Sequence, residues 1–252
     1  MALTERQYFA LRRLHSLSGV FPIGVFLAEH FFTNSFALHG AESYNAKVEF
    51  LTSLPYLYLI EGLGIFLPIL FHLVVGVIIF REARFNNRTL GYRQNAMFAL
   101  QRISGVVLIF FIGYHLAATR FGHYFGYDTS DLFALMSDKL QNPFILAFYV
   151  IGVCSASFHL GNGLWGFAIH WGLLRGRQAQ KRWSWAALAV ALALAVTGLN
   201  SLLAFRPLGL EPILIFDKSE SHVHAAATPA ADSEVLEIHE LHDRGVEGGE
   251  HP

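Results

Sequence analysis

Five long apolar runs, Leu14–Phe36, Pro55–Phe80, Met97–Thr119, Pro143–Leu174 and Trp183–Phe205, constrain this chain more than any other feature. A helix needs roughly 20 mostly apolar residues to cross a bilayer, and each run is long enough. A segment in lipid must satisfy its backbone internally, which these runs do as helices. The expected fold is therefore all-α, an integral membrane bundle of five transmembrane helices over residues 1–207. Pro22 and Pro68 fall inside the first two runs, where neighbouring helices can satisfy the freed carbonyls. Residues 208–252 are polar, rich in Ala, Glu and His, and read as a disordered tail. Its histidines, His222, His224, His239, His242 and His251, read as solvated side chains.

Arginine and lysine set the expected orientation. Arg6, Arg12 and Arg13 precede the first run. Arg81, Arg84, Arg88 and Arg93 lie between the second and third, and Arg175, Arg177, Lys181 and Arg182 between the fourth and fifth. The alternate loops carry only Lys47, Arg120 and Lys139 beside Glu42, Glu49, Asp128, Asp131 and Asp138. The positive-inside rule puts the N-terminus in the cytoplasm and the C-terminus outside. No cleavable signal pattern precedes the first run, so it is expected to be retained.

Several function classes fall away. With 54% hydrophobic residues, 15% charged residues and a net charge of -1, no basic face exists to neutralise nucleic-acid phosphates. Cys154 is the single cysteine, so a four-cysteine iron–sulfur cluster cannot be built here. The chain has no Walker loop and no GxGxxG that follows a strand, so nucleotide binding is unsupported.

The histidines carry the chemistry, because an ionisable side chain inside a membrane is costly unless used. His30 lies six residues before Phe36, and His115 lies five before Arg120. His72 lies seventeen after Pro55, and His159 sixteen after Pro143. At 1.5 Å per residue the first two sit roughly 8 Å below the outer end and the other two roughly 25 Å below it. Four helices thus carry two histidine pairs at two depths. A lone intramembrane histidine can simply hydrogen-bond a neighbouring helix, but that explanation must then hold four times at matching depths. Two facing imidazoles are the ligation of a six-coordinate, electron-transferring b-type haem. The glycines Gly76, Gly163 and Gly113, near these histidines in sequence, would admit a flat ligand or merely tighten helix packing.

The stretches Leu11-Arg12-Arg13-Leu14-His15-Ser16-Leu17-Ser18-Gly19, Ser53-Leu54-Pro55, Leu67-Pro68-Ile69-Leu70-Phe71-His72, Leu100-Gln101-Arg102 and Phe158-His159-Leu160-Gly161-Asn162-Gly163-Leu164-Trp165 extend this reading. They resemble the membrane cytochrome b subunit of succinate:quinone oxidoreductases, in the five-helix, two-haem branch that includes fumarate reductases. The resemblance runs from about Arg6 to Phe205. It implies that His72 and His159 ligate a proximal haem b, nearer the cytoplasm, and that His30 and His115 ligate a distal one. It implies a flavoprotein subunit with covalent FAD and an iron–sulfur subunit with three clusters on the cytoplasmic side, those cofactors residing only in the partners. It also implies a membrane quinone as substrate, with menaquinone favoured, and a bacterial-type inner membrane. Some fumarate reductases of this branch place a glutamate two residues before the fourth-helix ligand. Here that position is Ser157, so that proton route does not carry over.

Other polar residues have weaker assignments. Glu61 lies eleven residues before His72, about three turns and roughly 16 Å toward the outside. It is the candidate for proton exchange with quinone, against a plain packing or interfacial role. His15, Arg12, Arg13 and Arg102 could bond haem propionates by charge-assisted contacts, or anchor the interface. His170 is a propionate partner or a subunit contact. Two other functions stay open: a transmembrane cytochrome b of a different quinone-linked dehydrogenase, and a haem-free transporter or anchor.

Overall fold

The computed structural model describes residues 4–82 and 93–206, and among them there are helices and no strand. Arg84, Arg88 and the tail lie outside the described residues. Helix α1, Glu5–Val20, starts on a capping box. The Thr4 hydroxyl accepts from the Gln7 amide at 3.3 Å, and Gln7 Oε1 accepts from the Thr4 amide at 3.0 Å. Pro22 then does more than kink the run. It has no N–H to continue the ladder, so α1 ends and α2, Ile23–Ser35, begins anew after a cis Phe21–Pro22 bond. Together with a 3-10 turn at Phe36–His39 they make one candidate span, Glu5–His39.

Helix α3, Ala41–Thr52, follows in what the sequence reads as a plain loop. The second span, Leu57–Arg81, is composite: α4, Leu57–Leu59, a π-helical stretch, Ile60–Phe66, and α5, Leu67–Arg81. Pro68 sits in the first turn of α5. Its missing N–H leaves a carbonyl behind it free, and the widened π ladder, with Leu67 N–H donating to Gly62 O, lies at that point. Leu63, Leu67, Leu70 and Val74 are exposed on this span, as a lipid-facing helix requires.

Helix α6, Arg93–Ala118, carries the third span, Asn95–Ala118. A short α7, Leu132–Lys139, again occupies an expected loop. Asp131 caps it, accepting from Ala134 N at 2.9 Å and from Asn45 Nδ2 of α3 at 2.9 Å. These bonds hold the Asp131 carboxyl below the usual carboxylate range. Helix α8, Pro143–His170, opens with proline in its first turn under an Asn142 cap, and α9, Arg177–Ala204, follows Gly176 at φ +84°. All five candidate spans are thus present.

The buried core lies toward one end. Phe31, Tyr44, Met136, Leu140, Tyr149, Val153, Leu202 and Phe205 join α2, α3, α7, α8 and α9 beneath a cap made by α3 and α7. Burial pushes the Tyr44 hydroxyl up to about 12, so it stays neutral.

Helices α8 and α9 meet over Gly161. A Cβ there would stand 2.5 Å from Ala191 Cβ and 2.9 Å from the Ala187 carbonyl oxygen. Gly161→Val therefore overpacks the seam and is expected to cost about 1–3 kcal/mol. A lower thermal midpoint of the detergent-solubilised protein checks this; an unchanged midpoint means that the two helices can separate freely.

Candidate cofactor site

The structure brings the four histidines together in two pairs. His30 of α2 faces His115 of α6 with ring centroids 5.6 Å apart, and His72 of α5 faces His159 of α8 at 6.2 Å. Both pairs have interplanar angles of 76°. A metal–imidazole nitrogen bond is about 2.0–2.1 Å, so rings binding one metal from opposite sides have centroids roughly 6 Å apart. Both pairs have that spacing. Among the described residues no three His, Cys, Asp or Glu side chains converge as a metal site. Two imidazoles leave most of a metal's coordination to a non-protein ligand, and a porphyrin's four nitrogens fit that need.

His15 behaves differently. The sequence places it at the inner end of the first span, yet its ring stacks on His72, centroids 3.8 Å apart at 19°. That is van der Waals stacking, too close for a metal between the rings. The His15 backbone carbonyl lies 3.0 Å from His72 Nδ1.

Hydrogen bonds fix the ring tautomers of His72 and His159. A carbonyl only accepts, so His72 Nδ1 carries the proton, shared with Ser18 Oγ at 3.1 Å. The Ser104 hydroxyl gives its own proton to the Gln101 carbonyl at 3.0 Å, so its oxygen, 3.0 Å from His159 Nδ1, accepts there. In His72 and His159 Nε2 is thereby left as a lone pair, the form in which imidazole binds a metal. His115 Nδ1 lies 3.3 Å from the Tyr149 hydroxyl, which is also 3.9 Å from Met136 Sδ. These partners, Ser18, Ser104 and Tyr149, are not evident in the sequence, because a hydroxyl at helical spacing from nothing in particular carries no signal.

Glycines make room for the rings, though not those adjacent to the histidines in sequence. A Cβ on Gly19 would stand 2.6 Å from His72 Cε1, and one on Gly105 3.2 Å from His159 Cε1. Gly76 abuts His15, at 3.1 Å from Cε1 to an added Cβ, whereas Gly113 meets open space and Gly163 only the tip of Gln101.

One end of the bundle gathers cations. Arg12 lies within electrostatic range of His15, Arg102 and His170. Arg13 packs over Trp171, 4.1 Å from the ring centroid, and Arg102 over Phe98 at 3.2 Å. Arg13 Nε, Arg102 Nε and His15 Nδ1 are buried with no hydrogen-bond partner among the described residues. Orphaned donors of this kind cost free energy unless an acceptor arrives, and haem propionate carboxylates are acceptors of the right charge. The residues present therefore fit the group.

Glu61 lies in the π-helical stretch and forms a bidentate pair with Arg120. Arg120 Nε donates to Oε1 at 3.0 Å and Nη2 to Oε2 at 2.7 Å. This bonding holds the Arg120 guanidinium above its ordinary pKa, so it stays charged. The pair lines a cavity of about 410 Å³ together with Tyr58, Phe66, His123 and Tyr124. Ser157, two residues before His159, is buried and donates back to the Val153 carbonyl at 2.9 Å. One further carboxyl lies within the first span, Glu29 beside His30; it accepts from the Thr33 hydroxyl at 2.6 Å. Its signal was simply a charge inside an apolar run.

Five helices able to span, with four histidines drawn from four of those spans into two facing pairs, define a polytopic helical membrane protein with an imidazole-lined interior. Residues 92–198 match the family model described as succinate dehydrogenase/fumarate reductase transmembrane subunit. The succinate dehydrogenase cytochrome b558 subunit of Bacillus subtilis (strain 168) is 40% identical over 203 residues, which cover 81% of this chain and 100% of that relative. The chain belongs to this family of transmembrane subunits.

Proposed function

We propose that this chain is the membrane anchor and electron-transfer subunit of a succinate:quinone oxidoreductase, in the five-helix, two-haem branch of its family. The observation that carries the reading is the pair of imidazole pairs, at 5.6 and 6.2 Å, each drawn from two different helices. His72 and His159 would hold the proximal haem b, and His30 and His115 the distal one. When bound, a bis-histidine haem supplies one-electron transfer and offers oxygen no open iron position. The chain's own residues do the rest. Ser18, the His15 carbonyl and Ser104 hold the tautomers of His72 and His159, and the Tyr149 hydroxyl lies beside His115 Nδ1. Arg12, Arg13 and Arg102 would offer charge to propionates, Arg13 and Arg102 each an unpartnered Nε–H, and His15 a ring nitrogen.

The subunit would sit in a bacterial inner membrane with its N-terminus cytoplasmic, as the arginine distribution supports. A flavoprotein subunit and an iron–sulfur subunit would dock on the arginine-rich side, bringing FAD and iron–sulfur clusters that a chain with the single cysteine Cys154 cannot hold. Membrane quinone, menaquinone by resemblance, would react at the opposite end, in the cavity of Glu61 and Arg120. Residues 1–207 would be the membrane domain and 208–252 a separate polar tail. The name of the Bacillus relative, a cytochrome b558 subunit of succinate dehydrogenase, supports this over a cytochrome serving some other dehydrogenase.

The purified complex is expected to contain two protohaems for each copy of this chain. A pyridine haemochrome assay against protein concentration measures this, and a value of one or none sinks the proposal.

A further inference from the structure

The two proximal histidines are held unequally. At His72, two acceptors share the Nδ1 proton: the His15 carbonyl at 3.0 Å and Ser18 Oγ at 3.1 Å, with Ser18 itself bonded to that same carbonyl at 2.9 Å. Loss of the Ser18 hydroxyl leaves a backbone acceptor that no side-chain substitution removes. At His159 the described contacts give Nδ1 one acceptor, Ser104 Oγ at 3.0 Å.

Ser104 belongs to a larger clamp between α6 and α8. Gln101, one turn before it, donates through Nε2 to the His159 carbonyl at 3.0 Å and accepts through Oε1 from Asn162 Nδ2 at 2.9 Å. Gln101 thus fixes the backbone of α8 at the histidine, while Ser104 meets the ring. Gly105, the next residue, leaves the space that the ring occupies. The ordinary explanation of Ser104 is a membrane-helix hydroxyl that satisfies itself on a carbonyl of its own helix, as it does on Gln101. That bond uses the proton and leaves the oxygen lone pairs, one of which points at His159 Nδ1.

We propose that Ser104 is the positioning residue of His159: by accepting its Nδ1–H it fixes the ring and makes Nε2 a stronger donor to haem iron, a role that Ser18 shares with a backbone carbonyl at His72. This rests on the two-haem reading. A hydrogen bond to the distal nitrogen raises the basicity of a ligating imidazole, and losing such a partner typically weakens the metal site by about 10–100-fold. A more basic imidazole favours ferric over ferrous iron. Removal of the acceptor therefore moves the midpoint potential of that haem upward.

The test uses the whole purified complex, as wild type and as Ser104→Ala, Ser18→Ala, Ser104→Thr and Ser104→Cys. Haem per chain is measured first, then each haem is titrated potentiometrically with optical and electron paramagnetic resonance detection. The haem that His159→Ala removes is the one followed. The expected result is an upward shift of its midpoint in Ser104→Ala, a smaller one in Ser18→Ala, and return toward wild type in Ser104→Thr. Selective loss of that haem from Ser104→Ala, with retention in Ser18→Ala, supports the proposal equally. If Ser104→Ala fails to assemble, the near-isosteric Ser104→Cys, a weak acceptor, is judged by the same shift. Two haems with an unmoved midpoint, or a Ser18→Ala shift as large as that of Ser104→Ala, overturns it. A wild type without haem defeats instead the proposed function on which it rests.

Discussion

Replacement of His72 or His159 by alanine is expected to remove one haem, and replacement of His30 or His115 the other. The geometry makes this specific. Each pair spans 5.6 or 6.2 Å between ring centroids, the room that a coordinated metal needs, and each loses one of its two donors on substitution. Roughly half of the reducible haem should vanish in each variant, and the half that vanishes should be the same for both members of a pair. His15→Ala, by contrast, removes a proposed propionate contact but no proposed iron ligand. Its ring stacks on His72 at 3.8 Å, a separation that excludes a metal between them, so all four iron ligands remain. Optical redox titration of the purified variants, read in complexes that still assemble, decides the matter. If His30→Ala and His72→Ala abolish the same titrating component, the pairing is wrong.

That pairing was legible in the sequence because helix rise turns residue number into depth. Depth needs only a span boundary and a count, and apolar runs supply the boundaries. Azimuth, the direction a side chain faces around its helix, needs the packing of neighbours and is not written in any one run. His15 shows the difference. Counting put it at the end of the first span, while the packing of α1 against α5 turns its ring onto His72. The glycines show it again: Gly19 and Gly105 face the rings from across a helix interface, where sequence proximity to a histidine gives no hint. Ser104 and Tyr149 were missed for the same reason. Helices α3 and α7 are short and polar enough in sequence to pass for connections, and in the structure they cover the Phe31–Tyr149–Leu202 core. Pro22 falls inside the first apolar run, which by length alone is one helix. In the structure the chain closes α1 on Leu17 O and starts α2 afresh.

Glu61→Gln is expected to leave both haems in place, still reducible by succinate, while quinone turnover falls steeply, by roughly 10²-fold or more if the carboxyl moves a proton in the reaction. The amide keeps the shape of the side chain and removes its acid. The bidentate contact with Arg120 makes the experiment sharper than the sequence alone could. A proton that arrives at Glu61 neutralises the carboxylate and so weakens its pairing with Arg120, and the carboxyl acts against that pair. Glutamine can still accept one of those bonds but leaves the guanidinium charge uncompensated beside the 410 Å³ cavity. Loss of turnover could then arise from the missing proton carrier or from a misplaced arginine, and Arg120→Lys separates the two. Lysine keeps the positive charge and gives up the planar fork. If proton exchange at Glu61 is what matters, Arg120→Lys retains much of the turnover and Glu61→Gln does not. If the pair serves only to hold the cavity's shape, both variants fall together, and the double variant falls no further. Normal turnover in Glu61→Gln, with both haems counted, removes Glu61 from the chemistry and leaves the Arg120 cavity without its proton carrier.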